Sequence, residues 1–245
     1  MKKKLFFFLA VIVILPLGRA SAQNKSVDKV LLFSKTTGFR HESIEKGVAT
    51  LTQLLSENEI EVQHSEKSYL FTTEKLKEFK TIVFLNTTGD ILNDAQKLAF
   101  QNYIRQGGGF VGIHAASDTE YSWPWYGQLV GGYFKSHPEV QEAKIEVVNQ
   151  RHAATQHLEK VWLHKDEFYD FKDVQKEQLT LLMLLDETSY KGGQMGKFHP
   201  IAWFHEFDGG RSFYTGLGHT LEAYDSVAFQ KHMLGGIKWA MKKAK

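Results

Sequence analysis

Residues 110–116, Phe110-Val111-Gly112-Ile113-His114-Ala115-Ala116, join an apolar run to a tight turn of small residues. A short, continuous apolar run is typical of a parallel strand covered on both faces. The three glycines at 107–109 precede this run, so they predict the end of a helix and not a phosphate-binding loop.

Upstream of residue 110, apolar runs alternate with segments of helical periodicity. Residues 30–33, 60–62 and 81–85 predict strands, and residues 42–57 and 93–105 predict helices, the second capped by Asn93. This β-α-β alternation with short connections predicts a parallel sheet with helices on both faces.

Downstream, the sequence is richer in strands. The predicted strands cover 144–148, 179–185, 201–207 and 212–215, and a helix covers 226–242. Asp208-Gly209-Gly210 between two strands indicates a hairpin. Since no linker or repeat interrupts residues 23–245, we expect one α/β domain there.

The N-terminus predicts export. Three lysines precede an apolar run at 5–17, and Ala20-Ser21-Ala22 supplies a small-x-small cleavage pattern, so we expect residues 1–22 to be a cleaved signal peptide. The alternative is a membrane anchor, for which the apolar run is short. No cysteine stands at the cleavage site to carry a lipid anchor. The predicted location is the periplasm or the medium, with no membrane span after cleavage.

Cleavage changes the charge balance of the chain. It removes four basic residues, which lowers Lys plus Arg from 30 to 26 against 28 acids and gives a net charge of about −2. Without a basic patch, nucleic acid is not an expected partner. The absence of cysteine from the chain excludes disulfides and a thiol nucleophile.

Six ordered motifs within residues 28–243 resemble the ThuA-like (trehalose-utilisation) family. They are 32–41 (LFSKTTGFRH), 108–116 (GGFVGIHAA), 166–169 (DEFY), 199–203 (HPIAW), 210–214 (GRSFY) and 217–220 (LGHT). The resemblance implies a flavodoxin-like three-layer sandwich with a mostly parallel central sheet, similar to class I glutamine amidotransferases. Those enzymes carry a nucleophilic cysteine at the turn where this chain has His114, so amidotransferase activity is not expected.

The resemblance also implies a role in the catabolism of sugars or 3-keto glycosides. We expect a carbohydrate-active enzyme of isomerase, lyase or hydrolase type whose partner is a sugar or glycoside. The alternative is a non-catalytic carbohydrate-binding protein of the periplasm. Fold and family fix neither the reaction nor the oligomeric state.

Three residues are candidates for proton transfer. His114 follows a strand at a tight turn, which exposes a side chain in the manner of a nucleophile elbow, and its ordinary pKa suits a general base. Asp118 lies on the loop that follows and serves either as an acid or as a helix cap. Glu167 is the third, on the expectation that residues 166–169 form a strand whose alternate side chains, Glu167 and Tyr169, share a face.

Five residues are candidates for substrate binding. Arg40 and His41 lie in a loop that leaves the first strand, where open α/β sheets bind ligands. Tyr169, Trp123 and Trp125 offer aromatic faces to a sugar, the two tryptophans from a polar loop.

Histidines far apart in sequence suggest a metal site. His114, His137 and His219 are candidate ligands for a divalent metal, since such ions favour sets of imidazole and carboxylate donors. For His114 the alternative is a hydrogen bond to the backbone that holds the turn.

Overall fold

The computed structural model describes residues 1–4 and 27–244, so the predicted signal peptide lies almost wholly outside the described residues. The strands are β1 Asp28–Phe33, β2 Ile60–Ser65, β3 Thr81–Leu85, β4 Gly109–Ile113, β5 Tyr133–Ser136, β6 Gln141–Val147, β7 Val161–Asp166, β8 Asp170–Lys172, β9 Thr180–Leu185, β10 Pro200–Phe207 and β11 Gly210–Thr215. The α-helices are α1 Ile44–Ser56, α2 Thr73–Leu76, α3 Asp94–Arg105, α4 Pro124–Val130 and α5 Val227–Ala240.

Within residues 27–244, nine strands form one mixed sheet in the order β2-β1-β3-β4-β11-β10-β9-β6-β7. The half from β2 to β11 is parallel, and the half from β11 to β7 is antiparallel. Strands β5 and β8 pair separately. Strand β11, late in the sequence, therefore lies at the centre of the sheet, between β4 and β10.

The predicted α/β sandwich is confirmed, with helices packed on a large central sheet. Helices α1 and α5 contact each other, α2 contacts α3, and α4 contacts β11. Strands β3 and β4 are buried at every position, as the continuous apolar runs predicted. The antiparallel half adds the strands that bring Asp166 and Glu167 towards the parallel half.

Helix caps and a turn motif in the sequence correctly predicted several boundaries of helices and strands. Asn93 caps α3 in a capping box with Gln96, and Ser226 caps α5. The hairpin at Asp208-Gly209-Gly210 joins β10 to β11 in antiparallel register. The sequence did not predict the small β5–β8 sheet, whose strands span only four and three residues.

No helix among residues 1–4 and 27–244 is long and apolar enough to cross a membrane.

Candidate functional site

Three loops meet at the carboxyl ends of the parallel strands, as their strand-end positions predicted. The backbone N–H of Thr37 donates to the carbonyl of Thr88 at 2.9 Å, and that of Gly89 donates to Asp118 at 2.9 Å. The loops after β1, β3 and β4 are thereby joined side by side, and His41 and His114 come together in the crevice they form.

His114 stands directly after β4 in a strained backbone conformation. Its φ is +48°, in the left-handed region that side chains other than glycine rarely adopt. The ring is fully buried, and Nδ1 lies 2.9 Å from the carbonyl oxygen of Gly216, which makes Nδ1 the protonated nitrogen. Strain of this kind persists where the surroundings fix it, and it concentrates at functional sites.

The carboxylate of Glu167 contacts three histidines of the site. Its Oε2 lies 3.1 Å from Nδ1 of His219 and 3.5 Å from Nε2 of His114, and its Oε1 lies 3.0 Å from Nδ1 of His137. The carboxylate is nearly buried, at 9% side-chain exposure. Of the two imidazole nitrogens that face Oε2, Nδ1 of His219 lies closer than Nε2 of His114.

His41 and Tyr169 complete the wall around these groups. The ring of His41 meets those of His114 and His219 nearly at right angles, at centroid distances of 4.9 and 5.1 Å. Tyr169 packs against His114 at 4.2 Å, and its hydroxyl lies 3.5 Å from Nε2 of His41. The buried Nδ1 of His41 has no hydrogen-bond partner among the described residues.

Asp166 fixes the loop that carries His219. Its fully buried carboxylate accepts hydrogen bonds from the backbone N–H groups of Gly218, His219 and Thr220, at 2.7, 3.1 and 3.2 Å. The sequence assigned residues 166–169 to one strand, which is wrong: β7 ends at Asp166 and Glu167 follows it. Both adjacent acids therefore serve the site, one through the backbone and one directly.

The charges in this cluster shift two pKa values in opposite directions. Burial raises the pKa of Glu167, but hydrogen bonds and charge from His114 and His219 outweigh burial, so its pKa lies below the usual value. Burial lowers the pKa of His219, but the hydrogen bond and charge of Glu167 raise it above the usual value. The two shifts have one cause: the anionic carboxylate of Glu167 stabilises the protonated form of His219, so this imidazole accepts a proton more readily than a free imidazole does.

Four groups in the site have the chemistry of metal ligands. His41, His114, His219 and Glu167 each offer a ligand atom, and these atoms lie within 4.8 Å of one another. Imidazole nitrogens with one carboxylate suit zinc and related divalent ions. Of the predicted ligands, His114 and His219 belong to this set, whereas His137 bonds the other oxygen of Glu167 and is 43% exposed.

A second group of possible ligands, Asp170, Glu187 and His199, is occupied by structural bonds. Oε1 of Glu187 accepts from the backbone of Met195 and lies 2.7 Å from Nδ1 of His199. Nε2 of His199 lies 2.9 Å from the carbonyl oxygen of Tyr169. This network supports the segment that carries Tyr169.

Two predicted site residues lie at the edge of the crevice. Arg40 pairs with Glu45 and Glu66 at 2.6 and 2.8 Å, so its guanidinium is engaged at the surface. Asp118 does not cap α4, because the N-cap of that helix is Trp123. Its carboxylate instead accepts a hydrogen bond from the hydroxyl of Tyr121 at 2.6 Å. Burial raises the pKa of Asp118, and the bond from Tyr121 opposes this.

The two predicted tryptophans do not join the site. Nε1 of Trp125 donates to Asp208 at 2.8 Å, and Asp208 lies in the hairpin at the opposite end of β11 from His219. Trp123 packs on Trp125 and Phe100, with centroid distances of 5.1 and 6.5 Å. Their polar loop suggested exposure, but both rings pack against the core.

Sequence reasoning missed two contributions to the site. His41 was predicted only as a substrate-binding residue, and Asp166 was not selected. The sequence contained a signal for Asp166, since it has both two adjacent acids and the motif at 217–220. No spacing rule connects these segments, however, because they lie about fifty residues apart.

The fold and the site together define a glutamine amidotransferase-like α/β sandwich that carries a histidine–carboxylate centre at the turn after β4. The chain belongs to the ThuA family, described as "Trehalose utilisation", whose sequence profile matches residues 29–240. The resemblance seen in the sequence is thereby confirmed.

Solved structures agree with this assignment. A putative ThuA-like protein from Bacteroides uniformis ATCC 8492 is 23% identical, with a TM-score of 0.74 over 89% of this chain and 93% of that chain. One from Parabacteroides merdae ATCC 43184 is 20% identical, with a TM-score of 0.73 over 87% and 90%. The comparison with curated protein sequences gave no significant match.

The same fold also occurs within a larger protein. A β-galactosidase from Bacillus circulans sp. alkalophilus matches with a TM-score of 0.58 at 12% identity, over 86% of this chain but 31% of that chain. At this identity the likeness concerns the fold alone.

Proposed function

We propose that this protein is an enzyme of carbohydrate catabolism that transfers a proton on a sugar or 3-keto glycoside through His219 and Glu167. The observation that carries the proposal is the 3.1 Å contact between Nδ1 of His219 and Oε2 of the nearly buried Glu167. Membership of the ThuA family supports a carbohydrate-related role.

His219 suits the role of proton acceptor better than His114. Its side chain is 25% exposed, and Nε2 has no protein partner among the described residues, while Nδ1 faces Glu167. A carboxylate that orients an imidazole and stabilises its protonated form is the arrangement of acid–base dyads and triads. His114 is fully buried and acts on His219 as a positioning residue, from 3.3 Å.

A 3-keto glycoside presents an acidic C–H bond at C2, next to its ketone. Nε2 of His219 takes this proton, and the electron pair of the C–H bond forms an enolate with the ketone oxygen. In elimination, the enolate expels the glycosidic oxygen from C1, and that oxygen takes a proton from an acid, for which Asp118 is the candidate. In isomerisation, the enolate is instead reprotonated. General acid–base catalysis of this kind contributes about 10²- to 10⁴-fold to the rate.

We also propose that a divalent metal ion can occupy the centre, held by His41, His114, His219 and Glu167. Their ligand atoms lie within 4.8 Å of one another, and Nδ1 of His41 lacks a partner. A bound ion would supply Lewis-acid polarisation of a carbonyl oxygen. Elemental analysis of the purified protein tests this: one ion per chain, lost in Glu167→Ala, supports it, and a metal-free active protein contradicts it.

An assay of 3-keto disaccharides tests the reaction. We expect His219→Ala and Glu167→Gln to lose at least about 100-fold in kcat/KM, and His114→Ala to lose activity through misplacement of His219. His64→Ala is the matched control, because His64 bonds Ser34 outside the site. Turnover by His219→Ala equal to wild type would refute the role of His219. Sugar binding by the wild type without product, with or without added metal, would instead favour the carbohydrate-binding alternative.

We propose that the mature enzyme works outside the cytoplasm. The proposal rests on the basic, apolar and small-residue segments of residues 1–22. Fractionation of the native host, with N-terminal sequencing of the mature protein, tests it. A first residue at Gln23 supports cleavage after Ala22, and an intact N-terminus in the cytoplasm contradicts it.

A further inference from the structure

A cavity of about 280 Å³ opens beside the histidine–carboxylate centre. Its lining residues are Phe39, Glu42, Ser43, Val140, His219, Thr220, Leu221 and Glu222. Among the described residues, His219 alone belongs to both this lining and the four-residue centre. A molecule in the cavity therefore reaches the centre through the imidazole of His219.

The cavity has an apolar rim of three exposed side chains. Phe39 is 65% exposed, Leu221 41% and Val140 36%. Exposed large apolar side chains are common singly, but a group of them around one cavity marks a binding site. The rim can cover the apolar face of a small molecule.

Phe39 is held in place before any ligand binds. Its carbonyl oxygen accepts a hydrogen bond from Oγ1 of Thr88 at 2.8 Å, and its ring meets that of His41 at 90° and 4.9 Å between centroids. A fixed aromatic ring costs little conformational entropy when a ligand packs on it.

Two carboxylates provide hydrogen-bond acceptors at the same cavity. Within the described part of the chain, Glu42 and Glu222 have no side-chain hydrogen bond or ion pair, so their oxygens are available to hydroxyl donors. No lysine or arginine lines the cavity. A phosphorylated or acidic ligand would therefore meet two like charges with no lysine or arginine to compensate them.

We propose that this cavity is the subsite for a neutral, unphosphorylated sugar ring. The C–H face of the ring packs on Phe39, where hydrogens with partial positive charge meet the negative face of the aromatic ring. The hydroxyls donate to Glu42 and Glu222. The volume lies near the lower limit for small-molecule sites, which favours one ring over a long oligosaccharide. This inference rests on the proposed function, because the ring belongs to the glycoside that reacts at His219.

Calorimetric binding of trehalose and of trehalose 6-phosphate to the mature protein tests the proposal. We expect Phe39→Ala to weaken trehalose binding at least tenfold, Phe39→Tyr to retain it, and Glu222→Gln to weaken it. Trehalose 6-phosphate should bind at least tenfold more weakly than trehalose. Tyr69→Ala is the matched control, since Tyr69 is an aromatic residue that is 58% exposed outside this cavity.

The results separate the subsite from the reaction. Equal trehalose affinity in folded Phe39→Ala and wild type, no binding by the wild type, or tighter binding of the phosphate overturns the subsite. Loss of affinity in Phe39→Ala without turnover of any 3-keto glycoside by the wild type keeps the subsite and refutes the enzyme. Turnover of a 3-keto glycoside by the wild type, with an unchanged KM in Phe39→Ala, supports the enzyme and refutes the subsite.

Discussion

The buried carboxylate of Asp166 accepts a hydrogen bond from the backbone N–H of His219, with 3.1 Å between N and Oδ1. The same carboxylate binds the N–H groups of Gly218 and Thr220. The end of β7 thus sets the position of a histidine that follows β11, on a strand four places away in the sheet.

Asp166→Asn should destabilise the protein and displace His219. The amide retains one acceptor oxygen but places an NH₂ group against backbone donors, so we expect a loss of about 2–3 kcal/mol in the free energy of unfolding. Urea denaturation measures it. Asp186→Asn is the control, because Asp186 binds Thr188 in a similar turn at the surface. Similar effects of the two substitutions would contradict a special role for Asp166.

Residue 114 should tolerate asparagine better than valine. At a φ of +48°, a β-branched side chain adds about 1–2 kcal/mol of backbone strain, whereas asparagine adopts this conformation readily. Urea denaturation of His114→Asn and His114→Val measures the difference. The same pair at buried His205, in extended strand β10, is the control and should not show it. Equal stability of the two variants at 114 would rule out the strain.

Buried neutral histidines should make the protein sensitive to acid. Burial lowers the pKa of His232 to about 3 and that of His152 to about 4, with charge from Arg211 adding to the second shift. Above the ordinary pKa of 6.5, these histidines are neutral in both the folded and the unfolded chain, so they do not lower the free energy of unfolding. Below it the unfolded chain binds protons that the folded chain refuses, so the free energy of unfolding falls by about 1.4 kcal/mol per pH unit for each histidine.

The pH range differs for the two residues. The loss continues to about pH 4 for His152 and to about pH 3 for His232. Urea denaturation from pH 7 to pH 4.5 should give a shallower slope for His232→Asn, in which an amide can still donate to the carbonyl of Ala154. Parallel curves for this variant and wild type would exclude the contribution of His232.

Trp125→Phe should lower stability without changing sugar affinity. The change removes the indole N–H that donates to Asp208 and leaves that carboxylate with Arg105, so we expect a loss of about 1 kcal/mol or more. Thermal melting and calorimetry with trehalose measure the two effects. A tenfold loss of affinity with unchanged melting would restore Trp125 to the binding site.

The parallel half of the fold was predictable because its signals are local. The apolar runs at β3 and β4, the cap at Asn93 and the Asp208-Gly209-Gly210 turn each act within a few residues. The order of strands in the antiparallel half was not predictable, because pairing between distant strands leaves no periodic trace in one sequence.

The site was predictable as a set of candidates but not as an arrangement. Strand-end position identified His41 and His114, and the acidic motif identified Glu167. The choice between His114 and His219 as the exposed imidazole depends on burial and on which nitrogen meets the carbonyl of Gly216. Trp125 was predicted to bind substrate but lies elsewhere, because its polar sequence neighbours gave no sign of its contact with Asp208.

The central position of β11 has a consequence for the order of folding. Strand β10 can pair with β9, and β3 with β4, as soon as each pair is synthesised, but the two halves of the sheet meet only through β11, which begins at Gly210. His219 follows that strand, so the centre cannot assemble until nearly the whole chain is available. A nascent or truncated chain that ends before Gly210 would expose two open sheet edges and lack the histidine–carboxylate centre, so an assembled centre would report that folding is complete.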